Sequence, residues 1–350
     1  MDKDFDLDAI EKDCEESLNK FESDIEQMSR KGLVISLFGP VNAGKSSTIN
    51  ALLNKDYASV KPIAGWTKEV SLYELAPNVY IADTPGLYDI NKEVSKKAEQ
   101  FVEKNSDLIL FFISATEGLT LHVKESFESL KVLNRDIILV LNKIDALDES
   151  EVPEVLEHIE KELGIKPRPT AAKRGVGIKE LSIEIADFLK DKGKDLLYLK
   201  QARHKEHEVK GLIKTAAIAA ATVSAIPIPG FDIAALIPIH VTLSAKIAYV
   251  YGIRQGKGDI MKLLAATVYG SASKKIVQML IQAAKVAGWI PGAQGLELVA
   301  IGIAATVNGA MTWAFGVACN EYYKSGMTMD MGDLGELFNR AYEEHRAQVN

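Results

Sequence analysis

The sequence predicts an α/β domain with a mostly parallel sheet, led by one amphipathic helix and followed by an all-α domain. Three observations carry this prediction. Between residues 32 and 190 short β-rich runs alternate with amphipathic stretches, and one such run passes through a glycine-containing loop directly into a helix. Beyond residue 190 the composition turns to Ala, Ile, Gly and Val, with long uncharged windows. A βα alternation joins strands by crossover helices, which then cover both faces of a parallel sheet. The predicted divisions are 1–30, 31–191 and 192–350.

Composition agrees. A chain of 350 residues with 47% hydrophobic and 25% charged residues is folded rather than disordered and long enough for two cores. The net charge of −7 argues against a protein that coats nucleic acid, which needs surplus Lys and Arg against phosphates. That charge is uneven: residues 1–190 hold 24 Lys and Arg against 35 Asp and Glu, and residues 191–350 hold 17 against 13. The two cysteines, Cys14 and Cys319, sit at opposite ends without metal-type spacing, so a reducing cytoplasm is the expected compartment. The acidic start, Met1 to Asp6, predicts no secretory signal.

In chain order, Cys14, Leu18, Phe21, Ile25 and Met28 alternate at spacings of four and three, one apolar stripe of a helix over 7–30. Apolar runs at 33–38, 70–75, 78–82, 108–113 and 136–141 read as strands. Stretches at 45–54, 92–104, 119–134, 150–163 and 178–190 read as helices. In such sheets ligands bind beyond the carboxyl ends of the strands, so the loops there should carry chemistry.

The first of those loops is Gly39-Pro40-Val41-Asn42-Ala43-Gly44-Lys45-Ser46, a G-x-x-x-x-G-K-[ST] pattern between a strand and a helix. Gly39 and Gly44 let the backbone curl so that N–H groups from Asn42 through Ala43 to Ser47 cradle phosphate, helped by the helix dipole. Lys45 should reach the β- and γ-phosphates, and the Ser46 hydroxyl should ligate Mg²⁺. The strand ending Asp83-Thr84-Pro85-Gly86 supplies a carboxylate to hold Mg²⁺ through water, and a glycine whose amide can approach the γ-phosphate. The strand ending Asn142-Lys143-Ile144-Asp145 supplies Asp145, which can accept from the N1–H and exocyclic NH₂ of guanine, a donor pair adenine lacks. Lys143 can lay its stem across the base, and Asn142 can brace adjoining loops.

These ordered boxes, GPVNAGKSS, DTPG and NKID, resemble the translation-factor-related GTPases, and within them the Era and TrmE group, over about residues 30–190. The resemblance implies a P-loop, Ras-like fold and an enzyme that hydrolyses GTP. It also implies residues that spacing alone does not. Ala64 to Glu69 is similar to the first switch, making Thr67 a second Mg²⁺ ligand and part of the catalytic set with Lys45 and Gly86. Ala171-Ala172-Lys173 is similar to the S-A-K loop at guanine, with a backbone contact at Ala172 and Ala171 in place of the usual serine. Leu87 stands where Ras-like enzymes place a water-orienting glutamine. Relatives with a hydrophobic residue there include some that bind K⁺ through a P-loop asparagine, which Asn42 matches; the alternative is a loop-shaping role for Asn42.

The second half is less explicit. Residues 215–231 and 233–245 carry no charge, with only Asp232 between them and the turn Ile226 to Gly230 near their centre, and residues 298–320 form an uncharged window long enough to span a bilayer. Two readings stand: a buried all-α core, or contact with a membrane. Seven basic residues from Lys192 to Lys214 could face anionic lipid or solvent. Residues 200–325 resemble the helical domain of unknown function that follows GTPase domains in a bacterial family. The order of helix, GTPase domain and helical domain is also similar to immunity-related and dynamin-like GTPases. The expected partners are GTP and GDP, an anionic membrane surface or a protein effector acting through residues 192–325, and a second copy in a nucleotide-dependent dimer. A ribosome or RNA assembly GTPase is the rival class, although no basic module supports it.

Overall fold

The computed structural model describes residues 7–53, 70–84, 101–133, 136–224, 236–268 and 294–349. The chain divides into two compact units, Glu26–Lys205, and Met1–Ile25 together with Glu206–Asn350.

The first unit is a six-stranded sheet in the order β2-β3-β1-β4-β5-β6. Its strands are β1 (Leu33–Phe38), β2 (Ser71–Ala76), β3 (Val79–Asp83), β4 (Leu108–Ser114), β5 (Ile137–Asn142) and β6 (Arg168–Thr170). All pairs are parallel except β2 with β3, so the sheet is mostly parallel with an antiparallel edge. Both β4 and β5 are buried along their whole length, as continuous apolar runs must be when helices cover both faces. In the edge strand β2 only Leu72 and Leu75 are buried, three residues apart, and the pairing shifts register between Glu74 and Ala76.

Around the sheet lie α2 (Lys45–Leu52), α3 (Leu121–Leu133), α4 (Val152–Leu163) and α5 (Ile178–Asp191), followed by the short α6 (Asp195–Leu199). Phe127 on α3 meets Phe111 on β4 edge-to-face, with ring centroids 5.2 Å apart. Helix bounds fall within two residues of the expected ones. Of the expected helix at 92–104, only its end lies among the described residues, where 101–105 are helical. β6 has no counterpart in the sequence reading because its three residues include Pro169 and Arg168 and form no apolar run; it is held by pairing with β5 and by side-chain contacts of Arg168 and Thr170.

At the amino end of the strands Asp107 accepts from the Val34 N–H at 2.9 Å and from Lys194 Nζ at 2.6 Å, and Lys192 pairs with Asp136. Lys192 and Lys194 are therefore engaged by carboxylates of their own unit.

The second unit is helical. Its elements are the first part of α1 (Leu7–Lys31), then α7 (Lys205–Ser224), α8 (Ile237–Tyr251), α9 (Lys257–Ala266), α10 (Gln294–Lys324) and α11 (Met331–Val349). Within it Cys14 is buried and Phe21 meets Tyr249 edge-on at 6.4 Å, so the α1 stripe packs on the unit's own helices. Burial pushes the Cys14 thiol up to about 11. α8 is buried on nearly every side, and the described side chains of the 298–320 window, from 305 onward, are buried or half-buried. Among the described residues no helix is long and apolar enough to cross a membrane. The turn Ile226 to Gly230 lies outside them.

Polar groups inside this unit pair with one another. His240 Nε2 meets Thr312 Oγ1 at 3.0 Å, Ser244 Oγ meets the Tyr323 hydroxyl at 2.7 Å, and the Tyr251 hydroxyl donates to Asn320 at 2.8 Å. Tyr323 also donates to Gln255. Gly316 makes the close packing of α10 necessary: a Cβ there would sit 2.7 Å from Ile213 and 3.1 Å from Leu243.

Candidate functional site

The loops after the carboxyl ends of β1, β3, β5 and β6 open onto one cavity of about 900 Å³. Its lining includes Asn42, Gly44, Lys45, Ser46 and Ser47 from the first loop, and Asp83 from β3. Asn142, Lys143 and Asp145 come from the end of β5, and Ala172 and Lys173 from the loop after β6. These residues span 132 positions of sequence, from 42 to 173, and meet only because parallel strands end on the same side.

Two glycines make the first loop. Gly39 has φ 133°, and a Cβ on it would lie 2.4 Å from the Phe112 carbonyl oxygen. Gly44 has φ 90°, and a Cβ there would lie 2.0 Å from Asn142 Nδ2. Asn42 and Lys143 also hold positive φ, at 66° and 64°, a conformation that costs a non-glycine residue energy and concentrates at functional sites. Gly39 and Ala43 shape the loop from behind: the Gly39 carbonyl accepts from Lys45 Nζ at 3.0 Å, and the Ala43 carbonyl accepts from Asn142 Nδ2 at 2.9 Å.

Asn142 is the brace that its position suggests. Besides donating to Ala43, its Oδ1 accepts from Thr170 Oγ1 at 3.1 Å and from the Ala172 N–H at 3.2 Å. One buried amide therefore ties the phosphate loop, β5 and the β6 loop together. Lys45 also donates to the Pro40 carbonyl at 3.1 Å. Burial lowers its pKa from the usual lysine value, and the Asp83 carboxylate acts in the opposite sense. Lysine and carboxylate thus share one electrostatic neighbourhood.

The Ser46 hydroxyl at the amino end of α2 and the Asp83 carboxylate at the end of β3 present oxygen donors to the same cavity, which suits a hard divalent cation. Thr67, Gly86 and Leu87 lie outside the described residues. Val41, Thr84 and Ala146 also line the cavity, and the sequence reading had assigned them no role. Thr84 donates to the Leu37 carbonyl at 2.8 Å, fastening the end of β3 to β1; its place inside the DTPG box was the available signal. A second residue missed is Arg174, whose Nε stands 3.1 Å from Asp145 Oδ2.

Residues 34–143 match the family described as MMR_HSR1, 50S ribosome-binding GTPase, and residues 194–347 match DUF697, a domain of unknown function. The tRNA modification GTPase MnmE of Protochlamydia amoebophila is 35% identical over 221 residues, 58% of this chain and 44% of that protein. MnmE of Aquifex aeolicus is 34% identical over 162 residues, 45% of this chain and 34% of its own. The chain thus spans less than half the length of these relatives. Among solved structures, a probable GTP-binding protein engB matches 45% of this chain and 99% of its own, at 22% identity and a TM-score of 0.36. The chain joins a P-loop GTPase domain to a helical DUF697 region.

Proposed function

We propose that the protein binds GTP, hydrolyses it to GDP and phosphate, and acts as a nucleotide-dependent switch whose output runs through the helical region. The observation that carries this reading is the convergence in one cavity of a phosphate loop with its lysine, a carboxylate suited to a metal, and a carboxylate suited to guanine.

In this reading the backbone amides from Asn42 to Ser47 and the Lys45 ammonium hold the phosphates and counter the charge that develops as the bond to the γ-phosphorus breaks. Water forms the new bond to phosphorus, the β–γ bridging oxygen leaves with GDP, and the water's protons pass to phosphate and solvent. Ser46, Asp83 through water, and Thr67 would hold Mg²⁺, which supplies charge neutralisation at the phosphates. The amide of Gly86 would face the γ-phosphate. Leu87 has no group to orient the attacking water. Asn42, which lines the cavity and holds a left-handed backbone, would hold K⁺ as an additional source of positive charge. Asp145 selects guanine, Lys143 covers the base, and Ala172 with Lys173 closes its edge.

Output through residues 192–325 to an anionic membrane, a protein effector or a second copy belongs to the same proposal. The tRNA-modifying role in the relatives' name is not carried over, because the match covers less than half of those proteins.

The test is base choice. Asp145→Asn replaces an acceptor with a donor and should shift preference from GTP toward XTP, whose ring carries oxygen where guanine carries NH₂. Wild-type protein that binds ATP as tightly as GTP would falsify the assignment. Turnover measured in K⁺ and in Na⁺ at equal ionic strength tests Asn42: equal rates in both salts remove potassium from the reading.

A further inference from the structure

Asp145, the carboxylate given to guanine above, is held by a residue outside the recognised boxes. Arg174 Nε pairs with Asp145 Oδ2 at 3.1 Å. Unlike Ala172 and Lys173, Arg174 is not among the residues that line the cavity, although it pairs with one that is.

The approach is built into the backbone. Residues Ala172–Arg174 form a single tight turn closed by Gly175 at φ 72°. The Arg174 N–H donates to the Ala171 carbonyl at 2.9 Å, and Ala171 pairs with Val176 across the turn. Asn142 anchors the start of the turn through the Ala172 N–H at 3.2 Å. Ala171 itself is buried and carries no hydroxyl, so its side chain offers Asp145 no donor. Arg174 supplies a cation from three residues further on.

Such a cation matters for recognition. Guanine offers N1–H and NH₂ side by side in one plane, and both bonds form only when the carboxylate lies in that plane. The terminal torsion of an aspartate is broad, so the side chain does not fix its own plane. The guanidinium charge 3.1 Å from Oδ2 restrains it, while each oxygen keeps a lone pair for the base.

We propose that Arg174 is a positioning residue for base selection: by pairing with Asp145 it sets the carboxylate plane and so sharpens preference for bases that carry the 2-amino group. This rests on the reading of the cavity as a GTP site. Arg174 is largely exposed, with 68% of its side chain accessible, so the pair contributes little to folding and should be weakened by salt.

The test compares the full-length protein with Arg174→Ala, Arg174→Gln and Arg174→Lys. Dissociation constants for GTP, ITP and ATP are measured with Mg²⁺ by competition against a fluorescent GDP. ITP keeps N1–H and lacks the 2-amino group, so the GTP-to-ITP ratio reports whether both carboxylate oxygens are engaged. The Ala and Gln variants should lower that ratio about three- to fivefold. The Lys variant should recover most of it at low ionic strength and less at high.

An equal loss for both nucleotides would mean that Arg174 only supports the turn. An unchanged ratio would make it a bystander, and tighter GTP binding without it would make it a competitor of the base. Each of these overturns the proposal. Wild-type protein that fails to prefer GTP over ATP would instead overturn the GTP reading, whatever the variants do.

Discussion

The two units place their polar chemistry in opposite ways. In the sheet unit Lys45, Asp83, Asp145 and Lys173 stand at strand ends around an open cavity. In the helical unit His240, Ser244, Thr312 and Tyr323 are buried and bonded to one another. A buried polar group left without its partner costs about 1–3 kcal/mol, so these pairs fix how α8 and α10 face each other. Polar residues on loops beyond a sheet therefore read as chemistry, and polar residues in the seam between apolar helices read as register. Variants can break that distinction, and the largest effect belongs on the chemical side.

Lys45→Ala removes the charge that faces the β- and γ-phosphates in the proposed site. A lost charged contact of this kind costs about 2–4 kcal/mol, so hydrolysis should fall at least tenfold. Because Lys45 bonds loop carbonyls of its own unit among the described residues, thermal unfolding of the helical unit should not move. Unchanged turnover in this variant would take the phosphate loop out of the mechanism.

Gly316→Ala is the counterpart in the helical unit. The added methyl meets Ile213 at 2.7 and 2.9 Å, and overpacking of this kind costs about 1–3 kcal/mol. The helical unit should melt earlier while nucleotide affinity stays at its wild-type value. A fall in affinity would show that the two halves are energetically coupled.

These contrasts also explain what the sequence could disclose. The strands, most helices and the residues around the cavity were legible because each depends on residue type at short, fixed spacing. The strand Arg168–Thr170 was not, since it exists through pairing rather than propensity. The Asp145–Arg174 pair depends on the geometry of a turn 29 positions downstream, which no motif spacing encodes. In the helical half, windows that carry no charge leave both a buried core and membrane contact open. The polar pairs that hold these helices together, such as His240 with Thr312, are 72 residues apart.

A pH series probes that seam more finely. Complete burial holds His240 neutral in the fold and depresses its pKa to about 3, whereas a solvated imidazole titrates near 6.5. Between those values the unfolded chain binds a proton that the folded chain refuses. The stabilising contribution is therefore complete above about pH 6.5 and is lost progressively as pH falls toward 3, by about 1.4 kcal/mol per unit, or about 2 kcal/mol at pH 5. His345, stacked on Trp313 and also shifted down by burial, acts in the same direction. The informative measurement is the difference between wild type and His240→Gln in urea unfolding at pH 7 and pH 5. A wild-type curve no steeper with acid than the variant's would mean that His240 is not kept neutral by the fold.

The smallest effect is expected at Arg203, which tests whether the two ends of α2 are independent. Lys45 and Ser46 lie at its amino end, in the proposed phosphate site. At its carboxyl end Arg203 Nε donates to the Leu53 carbonyl at 3.1 Å, its Nη2 to Asn50 at 2.8 Å, and its own N–H to Leu52 at 2.9 Å. Ala202 adds a bridge to Leu53. The last carbonyls of a helix lack intrahelical donors, and a cation there also complements the helix dipole. Arg203 is thus a basic residue whose work is capping, where composition alone had left it to lipid or solvent. Arg203→Ala should destabilise the sheet unit by about 1 kcal/mol, because the contact is exposed and the Arg203 N–H bond remains. Turnover should stay within about twofold of wild type, since a rigid eight-residue helix transmits little of a frayed end to its other end. A tenfold fall in turnover, approaching that of Lys45→Ala, would show the opposite. The segment leading into α7 would then set the phosphate loop, and the contrast between a chemical edge and a structural interior would fail at this helix.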